Sequence, residues 1–225
     1  MEIRRRKREL GRPIDNPVRH ALEKTGYECK LLSVTHPWQP HMTFHTTGRF
    51  SRSDRSYHKN CGPTAITNLL DAAAARCGRE DLLRLPPEEI FRRVAAIGRH
   101  RAAYWSIRDP IPRGGTSYAM LGNYIHTCLY RFGLGDRVRL SGRLLSSARD
   151  MAREIRQDSL LILSLYRHPY YGSHIVVAYG VVEVAVAGRA APRLYLEVAD
   201  GWTSRPRYIA AEDLKHCGYV AVTLR

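Results

Sequence analysis

The spacing of apolar residues changes near residue 158, which divides the chain into a helical part and a strand-rich part. Before that point apolar side chains recur every three or four residues, as in Ile66, Leu69 and Ala73. After it, runs rich in β-branched residues are separated by turns, at 160–166, 174–184, 194–199 and 219–224. Helices followed by antiparallel strands predict an α+β fold.

Start and stop signals place the predicted helices. Pro63 in a first turn and Gly78 beyond the last turn predict a helix from about Cys61 to Arg76, with one apolar face buried. A second helical pattern begins at Pro87 and reaches about residue 98. Three more helices are predicted, at about 18–24, at 120–129 with Thr116 or Ser117 as its cap, and up to Arg156 with Ser146 or Ser147 as its cap.

The remaining pattern sets the domain boundaries. Residues 1–26 are predicted to form a basic N-terminal arm that is partly disordered, and residues 27–225 a single domain. Within that domain we expect a helical lobe at about 60–157 and a sheet lobe at about 158–225. Residues 27–34 and 42–50 are strand candidates, and the polar run 51–60 is expected to be an exposed loop.

Charge and composition restrict the function classes. The net charge is +15, yet the 31 arginines are spread along the chain apart from the run Arg4 to Arg8, which argues against a nucleic-acid-binding face. The N-terminus lacks an apolar signal region, and no apolar run is long enough to span a bilayer, so we expect a cytoplasmic protein without membrane association. Five scattered cysteines without a C-x-x-C pair disfavour disulfides and zinc, and we expect no metal or other cofactor.

Cys61 is the first candidate for chemistry, because it lies where a helix N-terminus stabilises an anion. The helix dipole supplies only about 0.3 to 1 kcal/mol, which is under one pKa unit. A cysteine that starts from a pKa of about 8.5 would therefore remain mostly a thiol at neutral pH. A nucleophile at this position needs a cationic partner, for which histidine is the usual residue.

His174 and Asp200 supply the partner and a third group. The strand that begins at His174 and the strand that ends at Asp200 flank a turn within 187–192, so an antiparallel pairing brings the two residues to one end of a hairpin. If they lie directly opposite each other, their Cβ atoms are about 4.5 to 5.5 Å apart and the carboxylate can orient the imidazole. Gly62, Ser173 and Trp202 flank the three residues and are candidates to line a substrate groove.

Three stretches resemble the papain-like cysteine peptidases, nearest to the branch related to the double-glycine leader peptidases of bacteriocin exporters. They are Cys-Gly-Pro-Thr-Ala at 61–65, Gly-Ser-His-Ile-Val-Val-Ala-Tyr-Gly at 172–180 and Val-Ala-Asp-Gly-Trp at 198–202. The resemblance spans about 60–202 and implies a papain-like fold, in which a helical lobe carrying the nucleophile packs on an antiparallel sheet. It also implies that Cys61 is the nucleophile, His174 the base and Asp200 the orienting acid, acting on a peptide or protein substrate.

One position departs from the family pattern. Such enzymes commonly carry an oxyanion-binding glutamine about six residues before the cysteine, where this chain has Arg55. The second oxyanion donor is then Asn60, Gln39 or Arg55, and the sequence does not choose among them. Three functions stay open: a thiol hydrolase, an acyl or amide transferase with the same triad, and a peptide-binding module that has lost catalysis.

Overall fold

The structure is a computed structural model that describes residues 13–106, 115–215 and 217–225. Its α-helices are α1 (Pro17–Thr25), α2 (Thr47–Ser53), α3 (Cys61–Arg76), α4 (Glu80–Leu83), α5 (Pro87–His100), α6 (Leu121–Arg131) and α7 (Ala148–Arg156). Its strands are β1 (Cys29–Thr35), β2 (Tyr104–Trp105), β3 (Gly115–Thr116), β4 (Val138–Arg143), β5 (Ser159–His168), β6 (Gly172–Val186), β7 (Arg193–Ala199), β8 (Arg207–Ala210) and β9 (Gly218–Leu224).

A seven-stranded antiparallel sheet forms the centre of the fold, with the order β4-β9-β5-β6-β7-β8. Strand β6 has 15 residues and is the longest strand described. Strands β5 and β1 lie end to end along the same edge of β6, since β5 pairs with its first half and β1 with its second half, while β7 follows the other edge. The α+β prediction is confirmed in this form.

The two faces of the sheet are covered by different helices, and β5 shows why. Its apolar run alternates strictly, because Leu160 and Ile162 pack into the core formed with α3, α5 and α6. Leu161 and Leu163 point to the other face, where they pack with residues of α7. A strand buried on both faces reads as an unbroken apolar run, which is the pattern that the sequence shows at 160–163. None of the described helices is long and apolar enough to cross a membrane.

Helix α3 is the central helix, and its bounds match the prediction from Pro63 and Gly78. The expectation of a single buried face was wrong, since every residue from Gly62 to Ala74 is buried. The cause is that α3 lies between the sheet and the other helices, with β6 on one side and α5 on another. A helix enclosed in this way holds its N-terminal residue, Cys61, in a fixed place against β6.

Several predicted helix boundaries hold. Asn16 caps α1 by accepting the N–H of Arg19, and Ser147 caps α7 in a reciprocal capping box with Asp150. The predicted cap of α6 was wrong: α6 begins after Met120 without a side-chain cap, and Thr116 belongs to β3 instead.

The strand predicted at 42–50 was wrong. Its second half is the start of α2, where Thr46 caps the helix by accepting the N–H of Arg49. Phe50 then stacks on Phe91 of α5, with the ring centroids 4.0 Å apart, so tertiary packing overrides the alternating pattern. The run 51–60 is only partly an exposed loop, because Ser56, Tyr57 and Asn60 are buried.

The predicted division at residue 26 and into two lobes also needs correction. Helix α1 packs on the second half of β6 through Ala21, together with Ile14, so residues 13–26 belong to the folded body. The run Arg4 to Arg8 lies outside the described residues. Strands β1 and β4 precede residue 158 and nevertheless join the sheet, so the sheet is not confined to 158–225. Both strands are edge or end strands, whose patterns carry less apolar signal than the buried β5 and β6.

Candidate active site

Cys61 is the first residue of α3, and Thr116 of β3 lies directly against the next residue. A Cβ added to Gly62 would come within 2.2 Å of the Thr116 Oγ1 and 2.7 Å of its Cβ. Only glycine therefore lets β3 approach the N-terminus of α3 this closely. Asn60, which precedes the cysteine, does not cap the helix with its side chain.

The thiol of Cys61 faces the beginning of β6. Burial raises the pKa of this thiol, and the nearby backbone N–H groups of Ile175, Gly62 and Cys61 itself oppose that rise. The N–H of Ile175 belongs to the residue directly after His174, so the thiol and the histidine are brought to one place. Burial outweighs the nearby N–H groups, so the net effect opposes the thiolate that the sequence predicts at this position.

His174 is buried, and its ring is oriented by a main-chain carbonyl. The Nε2 lies 2.7 Å from the carbonyl oxygen of Asp200. Because a carbonyl only accepts, Nε2 carries the hydrogen and Nδ1 of the neutral ring is the acceptor. Burial lowers the pKa of His174, while the hydrogen bond to the Asp200 carbonyl and the charge of its carboxylate raise it. Burial thus favours the neutral form of both side chains.

The carboxylate of Asp200 does not orient the imidazole as expected. Its Oδ1 accepts the backbone N–H groups of Trp202 and Thr203, both at 2.9 Å, and thereby fixes the turn that follows β7. Its Oδ2 accepts the hydroxyl of Tyr171 at 3.3 Å. Asp200 contacts His174 through its backbone instead.

The strand register explains this difference. Val177 lies opposite Ala199, a register in which position 174 faces position 202 rather than position 200. The pairing of β6 with β7 also shifts between Ala178 and Gly180, where β6 carries an extra residue. A hairpin centred on residue 187 was therefore the wrong construction, although it brought the correct ends of the two strands together.

A groove of about 680 Å³ runs past Cys61 and His174. Of the predicted groove residues, Ser173 and Trp202 line it and Gly62 does not. The lining residues are Thr47, Gly48, Ser51, His58, Lys59, Asn60, Cys61, Gly115, Thr116, Tyr118, Ser173, His174 and Trp202. Most of these side chains are small or polar, and none of them is acidic.

The three candidate oxyanion donors lie in different places. Asn60 lines the groove, but its amide nitrogen lies 3.3 Å from both the Thr47 carbonyl and the Ser51 hydroxyl, to which it donates. Gln39 starts a short 3-10 helix (Gln39–His41), is exposed and does not line the groove. Arg55 is also exposed and outside the groove. The N–H of Cys61, the first residue of α3, belongs to a residue that does line the groove.

The groove wall formed by the start of α2 is fastened to α3 and to the Asp200 turn. Asn68 of α3 accepts the N–H of His45 at 2.8 Å and donates to its carbonyl at 3.2 Å. The ring of His45 also bonds to the Asp71 carboxylate at 2.6 Å. Two residues later, the N–H of Thr47 donates to the Gly201 carbonyl at 2.7 Å. These bonds fix the wall against both elements that carry the site.

Two tyrosines of the site were missed by sequence reasoning. Tyr118 donates from its hydroxyl to the Leu165 carbonyl at 3.1 Å, and burial together with the nearby Cys61 raises the pKa of Tyr118 to about 12. Tyr171 lies against His174, with the ring centroids 5.5 Å apart. The pair of tyrosines at 170–171, three residues before His174, is the sequence signal that would have found Tyr171.

Among residues 13–106, 115–215 and 217–225, no group of three or more histidine, cysteine or acidic side chains is placed to hold a metal ion. No protein family matches the chain, and searches of characterised proteins and of solved structures found no match.

Proposed function

We propose that this chain is a papain-like cysteine peptidase or a closely related amide hydrolase, with a peptide or protein as its substrate. The observation that carries the proposal is the meeting of Cys61 and His174. The thiol at the N-terminus of α3 lies near the backbone N–H of Ile175, the residue after His174, and the side chains of Cys61 and His174 line one groove. The carbonyl of Asp200 holds the imidazole with Nδ1 as its basic atom.

In the proposed reaction, Nδ1 of His174 takes the proton of Cys61 as Sγ attacks the carbonyl carbon of the substrate amide. The N–H of Cys61 donates to the oxygen that becomes negative. When the C–N bond breaks, His174 gives its proton to the leaving amine, and the acyl group remains on Sγ as a thioester. Water then attacks the thioester, with His174 again as base, and releases the carboxylic acid and the thiol.

The neutral form of both side chains fits this reaction, because His174 has to be unprotonated to accept a proton from the thiol. A histidine whose pKa is lowered by burial is in that form at neutral pH. The carbonyl of Asp200 then stabilises the imidazolium that forms, since a carbonyl accepts a stronger hydrogen bond from a charged ring.

The proposal is tested with a mixture of peptides prepared from digested protein, incubated with wild type and with Cys61→Ala. Mass spectrometry should find new peptide ends only with wild type, and rapid acid quenching should trap an acyl group on Cys61. Cleavage by Cys61→Ala at the wild-type rate, or a peptide mixture that wild type leaves unchanged, contradicts the proposal.

A peptide-binding module without catalysis is the second candidate, and one observation favours it. Burial raises the pKa of the Cys61 thiol, and neither Gln39 nor Arg55 reaches the groove to bind an oxyanion. Such a module should bind peptides equally well as wild type and as Cys61→Ala, and should leave them intact. A peptidase would behave differently, because wild type would cleave the bound peptides and only the Cys61→Ala variant would hold them intact.

A further inference from the structure

A histidine stabilises the turn between β5 and β6 and thereby positions Tyr171. The turn closes at the pair His168 and Gly172, and Gly172 has a φ of +64°, which favours glycine. Nδ1 of His168 accepts the backbone N–H groups of Tyr170 at 3.1 Å and Tyr171 at 3.2 Å. His168 is only 6% exposed, so these two bonds are shielded from water.

Tyr171 stacks on His174 with the two rings offset. The two rings are nearly parallel, with an angle of 9° and centroids 5.5 Å apart. Trp202 lies against the same imidazole, with centroids 4.6 Å apart and an angle of 45°. The hydroxyl of Tyr171 donates to Oδ2 of Asp200 at 3.3 Å, which ties the ring to the residue whose carbonyl holds Nε2.

We propose that Tyr171 is a positioning residue for His174, whose stacked ring fixes the plane of the imidazole so that Nδ1 is directed at the Cys61 thiol. This inference rests on the proposed function. A single hydrogen bond at Nε2 fixes the position of the imidazole but leaves rotation about that bond. A parallel ring on its face removes the rotation, and the tie to Asp200 keeps the stacked ring and the carbonyl in register.

Tyr170 provides a matched control. It is the neighbouring tyrosine and packs edge-on against Tyr171 and Trp202, with centroid distances of 4.8 and 5.5 Å. It does not line the groove, and its ring is not among those packed on His174. Replacing Tyr170 removes a similar amount of aromatic surface without removing the stack on the imidazole.

The experiment compares wild type, Tyr171→Leu and Tyr170→Leu by two readouts. The first is the rate of iodoacetamide alkylation at Cys61 against pH, and the second is the nuclear magnetic resonance signal of the His174 Nε2–H. For Tyr171→Leu we expect the midpoint of the alkylation profile to rise by about one pH unit, or about tenfold slower alkylation below the midpoint. We also expect its Nε2–H signal to broaden or vanish by exchange, while Tyr170→Leu keeps both properties of wild type.

The outcome is decisive in each case. A folded Tyr171→Leu with the wild-type profile and a sharp Nε2–H signal overturns the inference, as does an equal change in Tyr170→Leu. If Tyr171→Leu does not fold, Tyr171→Met removes the planar ring at a similar volume, and the same criteria apply. Because the Nε2–H signal needs no catalysis, a wild type that fails to cleave peptides refutes the proposed function without deciding the role of Tyr171.

Discussion

Replacing Asp200 by asparagine separates the two ways in which this residue can serve the site. The backbone carbonyl that holds Nε2 of His174 is unchanged by the substitution. The asparagine Oδ1 can still accept the N–H groups of Trp202 and Thr203, as the aspartate does at 2.9 Å. Its amide can donate to the Tyr171 hydroxyl, so that the existing bond is reversed rather than lost.

The expected magnitudes follow from these bonds. Asp200→Asn should lower the free energy of unfolding by under about 1 kcal/mol. Asp200→Ala removes the acceptor of two backbone N–H groups and of the Tyr171 hydroxyl, and each lost hydrogen bond should lower the free energy of unfolding by about 1 kcal/mol. For a chain of this size, 1 kcal/mol corresponds to about 2 to 4 °C in melting temperature. We therefore expect a fall of under about 4 °C for the asparagine variant and of about 6 to 12 °C for the alanine variant.

The reactivity of the Cys61 thiol should depend on the backbone carbonyl of Asp200 rather than on its carboxylate. The charge of Asp200 helps to raise the pKa of His174, so its removal should lower that pKa and move the alkylation profile of Cys61 downward by less than one pH unit, because His174 then stays unprotonated to a lower pH. In a triad whose carboxylate contacts the imidazole, the same change costs about 10⁴-fold in kcat. Asp136→Asn, which removes an exposed carboxylate, is the control for charge alone.

The assay measures iodoacetamide alkylation at Cys61 against pH, with a melting curve for each variant. A folded Asp200→Asn that is more than about 100-fold less reactive than wild type at every pH would show that the carboxylate itself holds the imidazole. That result would refute the assignment of the orienting role to the backbone carbonyl.

Three more predictions test the packing around the site. Gly62→Ala should lower the melting temperature and suppress Cys61 alkylation, because the added Cβ would overlap Thr116. Gly122→Ala is the control and should do neither, because the nearest atom to its added Cβ is 4.0 Å away. Asn68→Ala should lower the free energy of unfolding, measured by urea titration, by about 2 kcal/mol, because it removes both hydrogen bonds to His45 in the segment before α2. An unchanged urea midpoint would contradict this prediction. Burial lowers the pKa of His168 below its unfolded value of 6.5, so its contribution to stability is full above pH 6.5 and is lost as the pH falls below it. His168→Asn should therefore reduce the difference in melting temperature between pH 7.5 and pH 5.5. An equally large difference in the variant would show that His168 does not contribute to the pH dependence of stability.

The fold was predictable where one physical signal dominates. Pro63 and Gly78 gave both ends of α3, and the unbroken apolar run at 160–163 marked a strand buried on both faces. The segment 42–50 was not predictable from its alternation, because the packing of Phe50 on Phe91 decides its helical form. Edge strands such as β4 carry few buried side chains, and this leaves them a weak pattern.

The site was predictable in its members and less so in its contacts. Hairpin arithmetic brought His174 and Asp200 to one end of two strands, yet it could not anticipate the extra residue in β6 near Ala178. The resulting register, with Val177 opposite Ala199, leaves the carbonyl of Asp200 against the imidazole, while its carboxylate accepts the N–H groups of Trp202 and Thr203. The balance between burial and the helix N-terminus at Cys61 likewise depends on how tightly α3 is enclosed, which periodicity does not report.

The most direct test of the account compares the alkylation rates of all five cysteines in wild type and in His174→Ala, mapped by mass spectrometry between pH 5 and pH 9. If His174 takes the proton of the Cys61 thiol as that thiol reacts, Cys61 is alkylated at pH 6 to 7 at least about tenfold faster than Cys29, and His174→Ala abolishes that advantage. The buried Cys128 and Cys217 should stay unlabelled. If Cys61 reacts no faster than Cys29, or if His174→Ala leaves its rate unchanged, the pairing on which the proposed function rests is wrong.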